Sequence, residues 1–386
     1  MKVAFRQVVV LLRKKTFIFV VSLLLFGTLT SVRAKALSAS AAVVMKVDTC
    51  GVLFEKNSHE CMSMASTTKI MTALLAVESG RLEQRVTVTQ KMVAVEGTSM
   101  GLRKGDVLTL GNIVKGMMLL SGNDAANAVA YFLSGSAESF AKEMNKKAKF
   151  IGMKDTNFVT PSGLDDDEHY TTAYDMALLA SYAMKNPTFR QFVSSDYGKV
   201  SYIFPKSEYT YRNHNRFLTM YDGACGIKTG FTKKSGRCLV TAVEKDGAYI
   251  VAVTLKAPDD WNDHISLYDE CLPKIEKVDV PESIEAVVRV VGGNKVGVSA
   301  KVTGVPKISA TESERFGYRI LTDKFLYAPI RAGDKVGEVR FYLDGICVAS
   351  RELVATENAN RVAREKQSLK DKILNIFRRL KWQITA

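Results

Sequence analysis

The chain has 386 residues, and its 54 basic and 40 acidic side chains give a formal net charge of +14. The excess lies at the ends, because residues 1–36 carry seven basic and no acidic residues and residues 361–386 carry eight basic and two acidic ones. The stretch between them is close to neutral, which excludes a basic nucleic-acid-binding face on the folded body and points to membranes at the termini.

Residues 1–36 have the form of a signal peptide. Basic residues precede the apolar run from Phe17 to Phe26, and Ala34-Lys35-Ala36 supplies an A-x-A cleavage pattern. The apolar run is shorter than the roughly 20 residues that a membrane-spanning helix needs, which favours cleavage over a retained span. We therefore expect the rest of the chain to be exported, with a length that suits one large domain and a smaller one.

The next segment predicts a hairpin (41–47 and 52–55) followed by a helix that begins at Ser66. Ser66 then lies where unpaired N–H groups and the helix dipole favour a developing negative charge. Lys69, three residues later, can reach the Ser66 hydroxyl. The pair is either a nucleophile with its base or an N-cap with a solvated lysine. Apolar residues recur along one face at Ile70, Ala73, Leu74 and Val77.

A second pair of polar residues lies between two predicted helices. One helix covers 109–120 and the next begins near Asp124, so that Ser121 and Asn123 share a tight connection. We expect Gly122 to allow the bend in the chain there. The alternative is ordinary turn chemistry, in which one of the two polar residues caps the following helix.

The segment 226–230 predicts a strand that enters a hairpin with its turn at 231–236. Strands over 238–243 and 249–255 follow, and then a helix over 263–275. Gly230 indicates close approach of another backbone or of a ligand. Lys228 by itself is equally consistent with a solvated lysine at the end of a strand.

The other chemistry-bearing residues form no recognisable centre. None of the cysteines and histidines has metal-ligand spacing, and His169 and His214 are loop residues without an identifiable partner. The acidic run 165–168 is typical of a solvated loop. Cys225 and Cys238 flank the predicted hairpin and are able to face each other, which leaves a disulfide open. The chain has six cysteines: Cys50, Cys61, Cys225, Cys238, Cys271 and Cys347.

Beyond residue 277 the pattern changes to alternating strands, which predict a small β-sandwich domain over 278–356. Residues 357–386 then predict a basic amphipathic helix with its apolar residues on one side. The helix has no long apolar run, so it suits the plane of a membrane interface rather than a span. The alternative is a surface helix packed on the β domain.

Three short motifs occur in order, each on the kind of element that nucleophilic catalysis needs. They are Ser66-Thr67-Thr68-Lys69 at a helix start, Ser121-Gly122-Asn123 on an interhelical turn and Lys228-Thr229-Gly230 on a strand.

In this combination the chain resembles the low-molecular-weight penicillin-binding proteins that are serine-type D-alanyl-D-alanine carboxypeptidases. A signal peptide (1–36), a peptidase domain (37–277), a small β domain (278–356) and an amphipathic anchor helix (357–386) come in that family's order. The resemblance implies an α/β (α+β) fold of the β-lactamase and transpeptidase kind. That fold has an antiparallel sheet and a helical cluster, followed by a small all-β domain.

The resemblance also implies the role of each motif residue. Ser66 attacks the substrate carbonyl, Lys69 takes its proton, and Ser121 relays a proton to the leaving D-alanine. The implied substrate-binding residues are Asn123 for the amide, Lys228 and Thr229 for the terminal carboxylate, and Gly230 and Phe231 beside the oxyanion hole.

The implied ligands are peptidoglycan stem peptides that end in D-Ala-D-Ala, and β-lactam antibiotics that acylate the same serine. No cofactor, metal ion or nucleic acid is expected. The implied location is the outer face of the cytoplasmic membrane, reached through the carboxy-terminal helix.

Two other functions stay open on the sequence. A β-lactamase needs a carboxylate that activates the deacylating water, and Glu168 is the acid in a roughly suitable place, with Thr172 rather than asparagine four residues later. A non-enzymatic penicillin-binding sensor would keep the pocket without turnover.

Overall fold

A computed structural model of the chain describes residues 36–362 and residue 373. Several helices begin at a capping side chain: the Ser136 hydroxyl accepts from the Ser139 N–H, and the Thr172 hydroxyl accepts from the Asp175 N–H. The helices up to residue 271 are α1 (Lys69–Glu78), α2 (Gln90–Val93), α3 (Leu110–Leu120), α4 (Asn123–Ser134), α5 (Ala137–Ile151), α6 (Ala173–Met184), α7 (Pro187–Val193) and α8 (Asp260–Cys271).

The first domain has two sheets. The larger is antiparallel, in the order β2-β1-β9-β8-β7, and the smaller has the order β3-β4-β5-β6. Their strands are β1 (Ala41–Lys46), β2 (Val52–Lys56), β3 (Arg85–Thr87), β4 (Val107–Thr109), β5 (Tyr197–Phe204), β6 (Ser207–Arg212), β7 (Ala224–Thr232), β8 (Gly236–Lys245) and β9 (Ala248–Leu255).

One hydrophobic core joins the larger sheet to the helices. The predicted apolar face of α1 is fully buried in it at Ile70, Ala73 and Leu74, as are Val43 of β1 and Val253 of β9. Burying such side chains stabilises the fold by about 1.5–3 kcal/mol each for the larger ones. The arrangement of mixed helices and antiparallel sheet confirms the predicted fold class.

Several boundaries differ from the sequence prediction. The helix predicted from Ser66 opens as a 3-10 turn over Ala65–Thr68, and α-helical geometry begins at Lys69. The last helix begins at Asp260, three residues before the predicted start, and its end is a 3-10 turn over Leu272–Lys274. The hairpin of β5 and β6 was not predicted from the sequence.

The cysteines are all free thiols. Cys238 on β8 lies opposite Gly230 in the register of the sheet, whereas Cys225 lies near the irregular end of β7 beside Val243. The predicted hairpin therefore separates the two cysteines that were candidates for a disulfide.

The second domain consists of β strands around its own core, which contains Val298, Val339 and Phe341. Its larger sheet has the order β14-β16-β17-β12-β11-β15, and β10 pairs with β13. The strands are β10 (Ile275–Lys277), β11 (Glu285–Val291), β12 (Gly297–Val302), β13 (Ser309–Thr311), β14 (Phe316–Thr322), β15 (Leu326–Tyr327), β16 (Lys335–Leu343) and β17 (Ile346–Ala355).

A buried ion pair joins the two domains. Lys46, on β1 of the first domain, is 1% exposed and pairs with Glu314 beyond β13. Its amine also donates to the Ser309 carbonyl at 3.0 Å, and the Thr49 hydroxyl donates to Glu314 at 2.9 Å. Charges buried this deeply need such complete hydrogen bonding to offset their desolvation.

The predicted anchor segment starts too early. Ala359 is fully buried and bridges Ile330, and Arg361 bridges Gly293, so that residues 357–362 pair with the β domain instead of opening a helix. Ile373 is helical, and the rest of the predicted anchor, 363–386, lies outside the described residues, as does the predicted signal peptide through residue 35. Among the helices within 36–362, none is long and apolar enough to cross a bilayer.

Candidate active site

Ser66 lies in the 3-10 turn that leads into α1. The preceding residue, Ala65, has a φ of +47°, a left-handed conformation that is strained for a residue with a Cβ. Neither the turn nor α1 has a side-chain cap, so Ser66 is not an N-cap. The Ser66 side chain is partly exposed, whereas the neighbouring Lys69 is fully buried.

The Lys69 amine is held by three acceptors. It donates to the Ser66 hydroxyl at 2.8 Å, to Asn123 Oδ1 at 2.8 Å and to the Ser162 carbonyl at 2.7 Å. The charged amine has three donors for these three acceptors, and the neutral amine keeps two donors and can accept from the Ser66 hydroxyl instead, so either form is fixed beside that hydroxyl. The sequence predicted the contacts with Ser66 and, through the motif, the neighbourhood of Asn123, but it gave no sign of the Ser162 carbonyl.

The protonation of Lys69 is strongly perturbed. Burial lowers the pKa of Lys69 well below its usual value, the positive charge of Lys228 lowers it further, and Asp124 acts in the opposite direction. A buried amine favours its neutral form because the low-dielectric interior solvates the charge poorly. The arrangement therefore places a proton acceptor within hydrogen-bond distance of a hydroxyl.

The second motif reverses the chain between α3 and α4. The left-handed residue is Ser121, with a φ of +62°, and Gly122 has an ordinary φ of −60°. Gly122 is needed for space instead, since a Cβ there would lie 2.6 Å from Asp124 Oδ1 and 2.7 Å from the Met100 nitrogen. The prediction that the backbone freedom of Gly122 allows the bend was therefore wrong, because Ser121 adopts the left-handed conformation.

Asn123 is the first residue of α4, and both the oxygen and the nitrogen of its side-chain amide form hydrogen bonds. Its Oδ1 accepts from Lys69, and its Nδ2 donates to the Glu96 carbonyl at 2.8 Å. The next residue, Asp124, accepts N–H donors from Met100 and Leu102 at 2.7 and 2.9 Å. These bonds attach the loop before α3 to the motif and so close one side of the site.

The third motif lies on β7, with Lys228 buried at 1% exposure. Its amine donates to the Thr229 carbonyl at 2.9 Å, and burial lowers the pKa of Lys228 to about 7. Gly230 brings the strand against the nucleophile turn, because a Cβ on it would lie 3.1 Å from the Ser66 nitrogen and 3.2 Å from the Met64 oxygen. The predicted close approach at Gly230 thus has the Ser66 turn as its partner.

A cavity of about 390 Å³ opens between these elements. Arg237 in its wall forms an ion pair with the nearly buried Asp260, at 2.8 Å, and Phe231 is 66% exposed at its edge. The lining brings five of the predicted residues together with six that were not predicted: Ser66, Thr98, Ser121, His214, Arg216, Thr229, Gly230, Phe231, Arg237, Asp260 and Trp261.

The structure corrects the expectation for one of the two loop histidines and places the other in the site. His214 lines the cavity, and burial with the nearby charge of Lys228 lowers its pKa. His169 has partners after all: it is 3% exposed and bonds Thr68 Oγ1 at 2.8 Å, 101 residues earlier in the chain. Glu168 is exposed and does not line the cavity.

Comparisons with known proteins find matches over both domains of the chain. The family model for D-alanyl-D-alanine carboxypeptidase matches residues 28–259, and the model for the C-terminal domain of penicillin-binding protein 5 matches residues 284–361. The D-alanyl-D-alanine carboxypeptidase DacF of Bacillus subtilis is 31% identical over 338 residues, which cover 84% of this chain and 86% of that protein.

Solved structures give the same result. The D-alanyl-D-alanine carboxypeptidase DacD from Francisella tularensis has a TM-score of 0.57 and 28% identity, covering 84% of this chain and 94% of that one. The Streptomyces K15 DD-transpeptidase has a TM-score of 0.59 and 29% identity, covering 62% of this chain and 98% of that one.

Proposed function

Since the chain belongs to the D-alanyl-D-alanine carboxypeptidase family, we propose that it removes the terminal D-alanine from peptidoglycan stem peptides through an acyl-enzyme on Ser66. The observation that carries this proposal is the 2.8 Å hydrogen bond between the Ser66 hydroxyl and the buried Lys69 amine. Penicillins and other β-lactams would acylate the same hydroxyl.

In the acylation step the Ser66 oxygen forms a bond to the carbonyl carbon of the penultimate D-alanine, and the hydroxyl proton passes to neutral Lys69. Keeping an ordinary lysine neutral at pH 7 costs about 4–5 kcal/mol. Burial and the Lys228 charge lower the pKa of Lys69 and so reduce this cost in the folded protein. Collapse of the tetrahedral intermediate then breaks the peptide bond, and the leaving amine takes a proton from Lys69 through Ser121.

Substrate recognition would use Thr229, which lines the cavity, and two buried residues that are not part of the lining, Asn123 and Lys228. In this proposal Lys228 and Thr229 bind the terminal carboxylate, and Asn123 holds the substrate amide. The N–H groups of Ser66 and Phe231 would stabilise the oxyanion, a kind of interaction whose removal commonly costs about 10²–10³ in rate. Water then hydrolyses the ester and restores the serine.

A β-lactamase is less well supported by the arrangement of acids. Glu168 is exposed outside the cavity lining, and the one carboxylate in that lining, Asp260, is paired with Arg237. Neither is free to activate a water molecule for rapid deacylation. We therefore expect the β-lactam acyl-enzyme to be long-lived.

We further propose that the protein acts outside the cytoplasm, at the outer face of the membrane. The support is the sequence: a basic and then apolar amino terminus with an A-x-A pattern, and a basic amphipathic carboxy terminus.

The test is release of D-alanine from a pentapeptide ending in D-Ala-D-Ala, together with labelling by a fluorescent penicillin. The wild type should release D-alanine and become labelled, and Ser66→Ala should do neither while keeping its melting temperature. Ser79→Ala, just beyond the other end of α1, is the matched control and should behave as the wild type. Labelling without release would indicate a sensor, and labelling of Ser66→Ala would refute the nucleophile assignment.

A further inference from the structure

The peptide group between Ala65 and Ser66 carries the N–H that we assign to the oxyanion hole. Its carbonyl accepts a hydrogen bond from Thr68 Oγ1 at 2.9 Å. On its nitrogen side Gly230 packs so closely that a Cβ there would lie 3.1 Å away. Both ends of this one peptide group are therefore in contact with other parts of the site, although Ala65 has a strained φ of +47°.

The Thr68 hydroxyl has a second partner in the buried His169. His169 Nδ1 accepts from the Val159 N–H at 2.9 Å and from the Thr160 N–H at 3.3 Å, which requires that this nitrogen carry no proton. The proton is then on Nε2, which donates to Thr68 Oγ1 at 2.8 Å. The directions are consistent along the whole series: the backbone donates to His169, His169 to Thr68, and Thr68 to the Ala65 carbonyl.

The loop that carries His169 also contacts the Ala65 carbonyl directly. Gly163 has a φ of +85°, and a Cβ on it would lie 1.8 Å from the Ala65 oxygen. The residue before it, Ser162, supplies the carbonyl that accepts from Lys69 at 2.7 Å. One loop, 160–169, thus contacts both the nucleophile turn and the base.

We propose that Thr68 and His169 are positioning residues, which fix the orientation of the Ala65–Ser66 peptide group and so aim the Ser66 N–H at the oxyanion. A hydrogen bond at a carbonyl also polarises the N–H of the same peptide group, because linked hydrogen bonds strengthen one another. His169 does not line the cavity, so it acts through Thr68 and not on the substrate. The inference rests on the proposed function, in which that N–H stabilises the acylation intermediate.

The test compares Thr68→Val, which has the same shape but neither bond, with Thr68→Ser, which keeps the hydroxyl. Stopped-flow acylation by a penicillin separates the dissociation constant of the first complex from the acylation rate. We expect Thr68→Val to lower the acylation rate roughly 10- to 100-fold, as small misplacements of reacting groups do, with the dissociation constant within about threefold. Thr68→Ser should restore the rate to within about threefold of the wild type.

The role of His169 is tested by two substitutions with amide side chains of different length. His169→Asn keeps a polar atom near the Nδ1 position but does not reach Thr68, and we expect it to match Thr68→Val. His169→Gln reaches Thr68 with an N–H donor and should acylate faster than His169→Asn. This pair decides the question if Thr68→Val does not fold.

The control for general stability is Thr254→Val, which removes a bond of the same kind, 2.9 Å long, between buried Thr254 on β9 and buried His264 on α8, neither of which lines the cavity. It should acylate at the wild-type rate. A folded Thr68→Val or His169→Asn that acylates within threefold of the wild type would overturn the inference, as would an equal loss in Thr254→Val. Wild-type turnover, measured alone, tests the proposed function separately.

Discussion

Lys69 and Lys228 are two buried amines in one small site, and their positive charges repel each other. Burial lowers the pKa of both, to about 7 for Lys228 and well below the usual value for Lys69, which also feels the charge of Lys228. Lys69 thus has two causes that favour its neutral form, whereas burial alone lowers the pKa of Lys228. This difference suits a base at Lys69 and a carboxylate-binding cation at Lys228.

Replacing Lys69 by arginine tests the base. Arginine keeps its positive charge at every pH used for proteins, so Lys69→Arg should be nearly unable to accept the Ser66 proton. The measurement is the rate of acylation by a penicillin. A rate within tenfold of the wild type, about 1.4 kcal/mol of barrier, would remove Lys69 from this role.

The pH dependence of substrate choice tests Lys228. Its amine is charged below a pKa of about 7 and neutral above it, so binding of the substrate carboxylate should weaken as the pH rises through 7. We expect the free-acid peptide to exceed its carboxy-terminal amide in kcat/KM by roughly 10- to 100-fold below pH 7, the effect of about 1.5–3 kcal/mol from a charged hydrogen bond.

This ratio should then fall above pH 7. Both peptides need neutral Lys69, so the ratio cancels that requirement and reports on Lys228 alone. Lys228→Ala should bring the ratio close to one at every pH. A ratio near one in the wild type would contradict carboxylate binding by Lys228.

Two elements approach the backbone around Ser66 closely, and each does so at a glycine. Gly163 of the loop 160–169 packs against the Ala65 carbonyl, and Gly230 of β7 packs against the Ser66 nitrogen. Together with the hydrogen bonds of Thr68, these contacts hold the strained conformation of Ala65 in place. The nucleophile turn is therefore shaped by elements distant in sequence more than by its own propensity.

Gly163→Ala tests this contact against a matched control. Both Gly163 and Gly152 have a positive φ, but a Cβ on Gly152 would meet nothing within 4 Å. Each substitution costs about 1–2 kcal/mol of left-handed strain, and only Gly163→Ala adds the collision with the Ala65 oxygen. We expect Gly152→Ala to lose stability but keep its acylation rate, whereas Gly163→Ala should lose at least roughly tenfold in rate. Equal rates in the two variants would contradict the role of this contact.

At the scale of the whole molecule, the β domain is joined to the peptidase domain by the Lys46–Glu314 pair and extends to Val362. The Val362 N–H donates to the Gly292 carbonyl at 3.0 Å. The Ile330 N–H donates to the Ala359 carbonyl and the Ala359 N–H to the Ile330 carbonyl, both at 2.9 Å. A truncation that removes the proposed anchor alone must therefore begin at residue 363.

We expect the mature chain truncated after 362 to keep its melting temperature and D-alanine release and to lose its flotation with anionic vesicles. The physical reason is that a basic amphipathic helix gains both apolar burial and about 1 kcal/mol per basic residue near an anionic surface. Truncation after 357 is the contrasting variant, and it should lower the melting temperature because it removes buried Ala359. A chain ending at 362 that floats as well as the full mature chain would contradict the anchor.

The sequence by itself determined the features that depend on local spacing. The three-residue spacing puts Ser66 and Lys69 one helical turn apart, in a 3-10 turn that leads into α1, and the ordered motifs identified a family that the comparisons confirm. Alternating strands likewise predicted an all-β second domain. These signals are readable because helix and strand periods repeat within a few residues.

Only the tertiary structure decided which distant groups complete the site. Lys69 bonds the Ser162 carbonyl 93 residues away, and Thr68 bonds His169 across 101 residues. Every residue has a backbone carbonyl, so its use as an acceptor leaves no mark in the sequence. The lack of room for a side chain at Gly122 and Gly163 likewise arises from the packing of other segments. The sequence does not reveal it, because a glycine required by a close neighbour looks the same as one required by a turn.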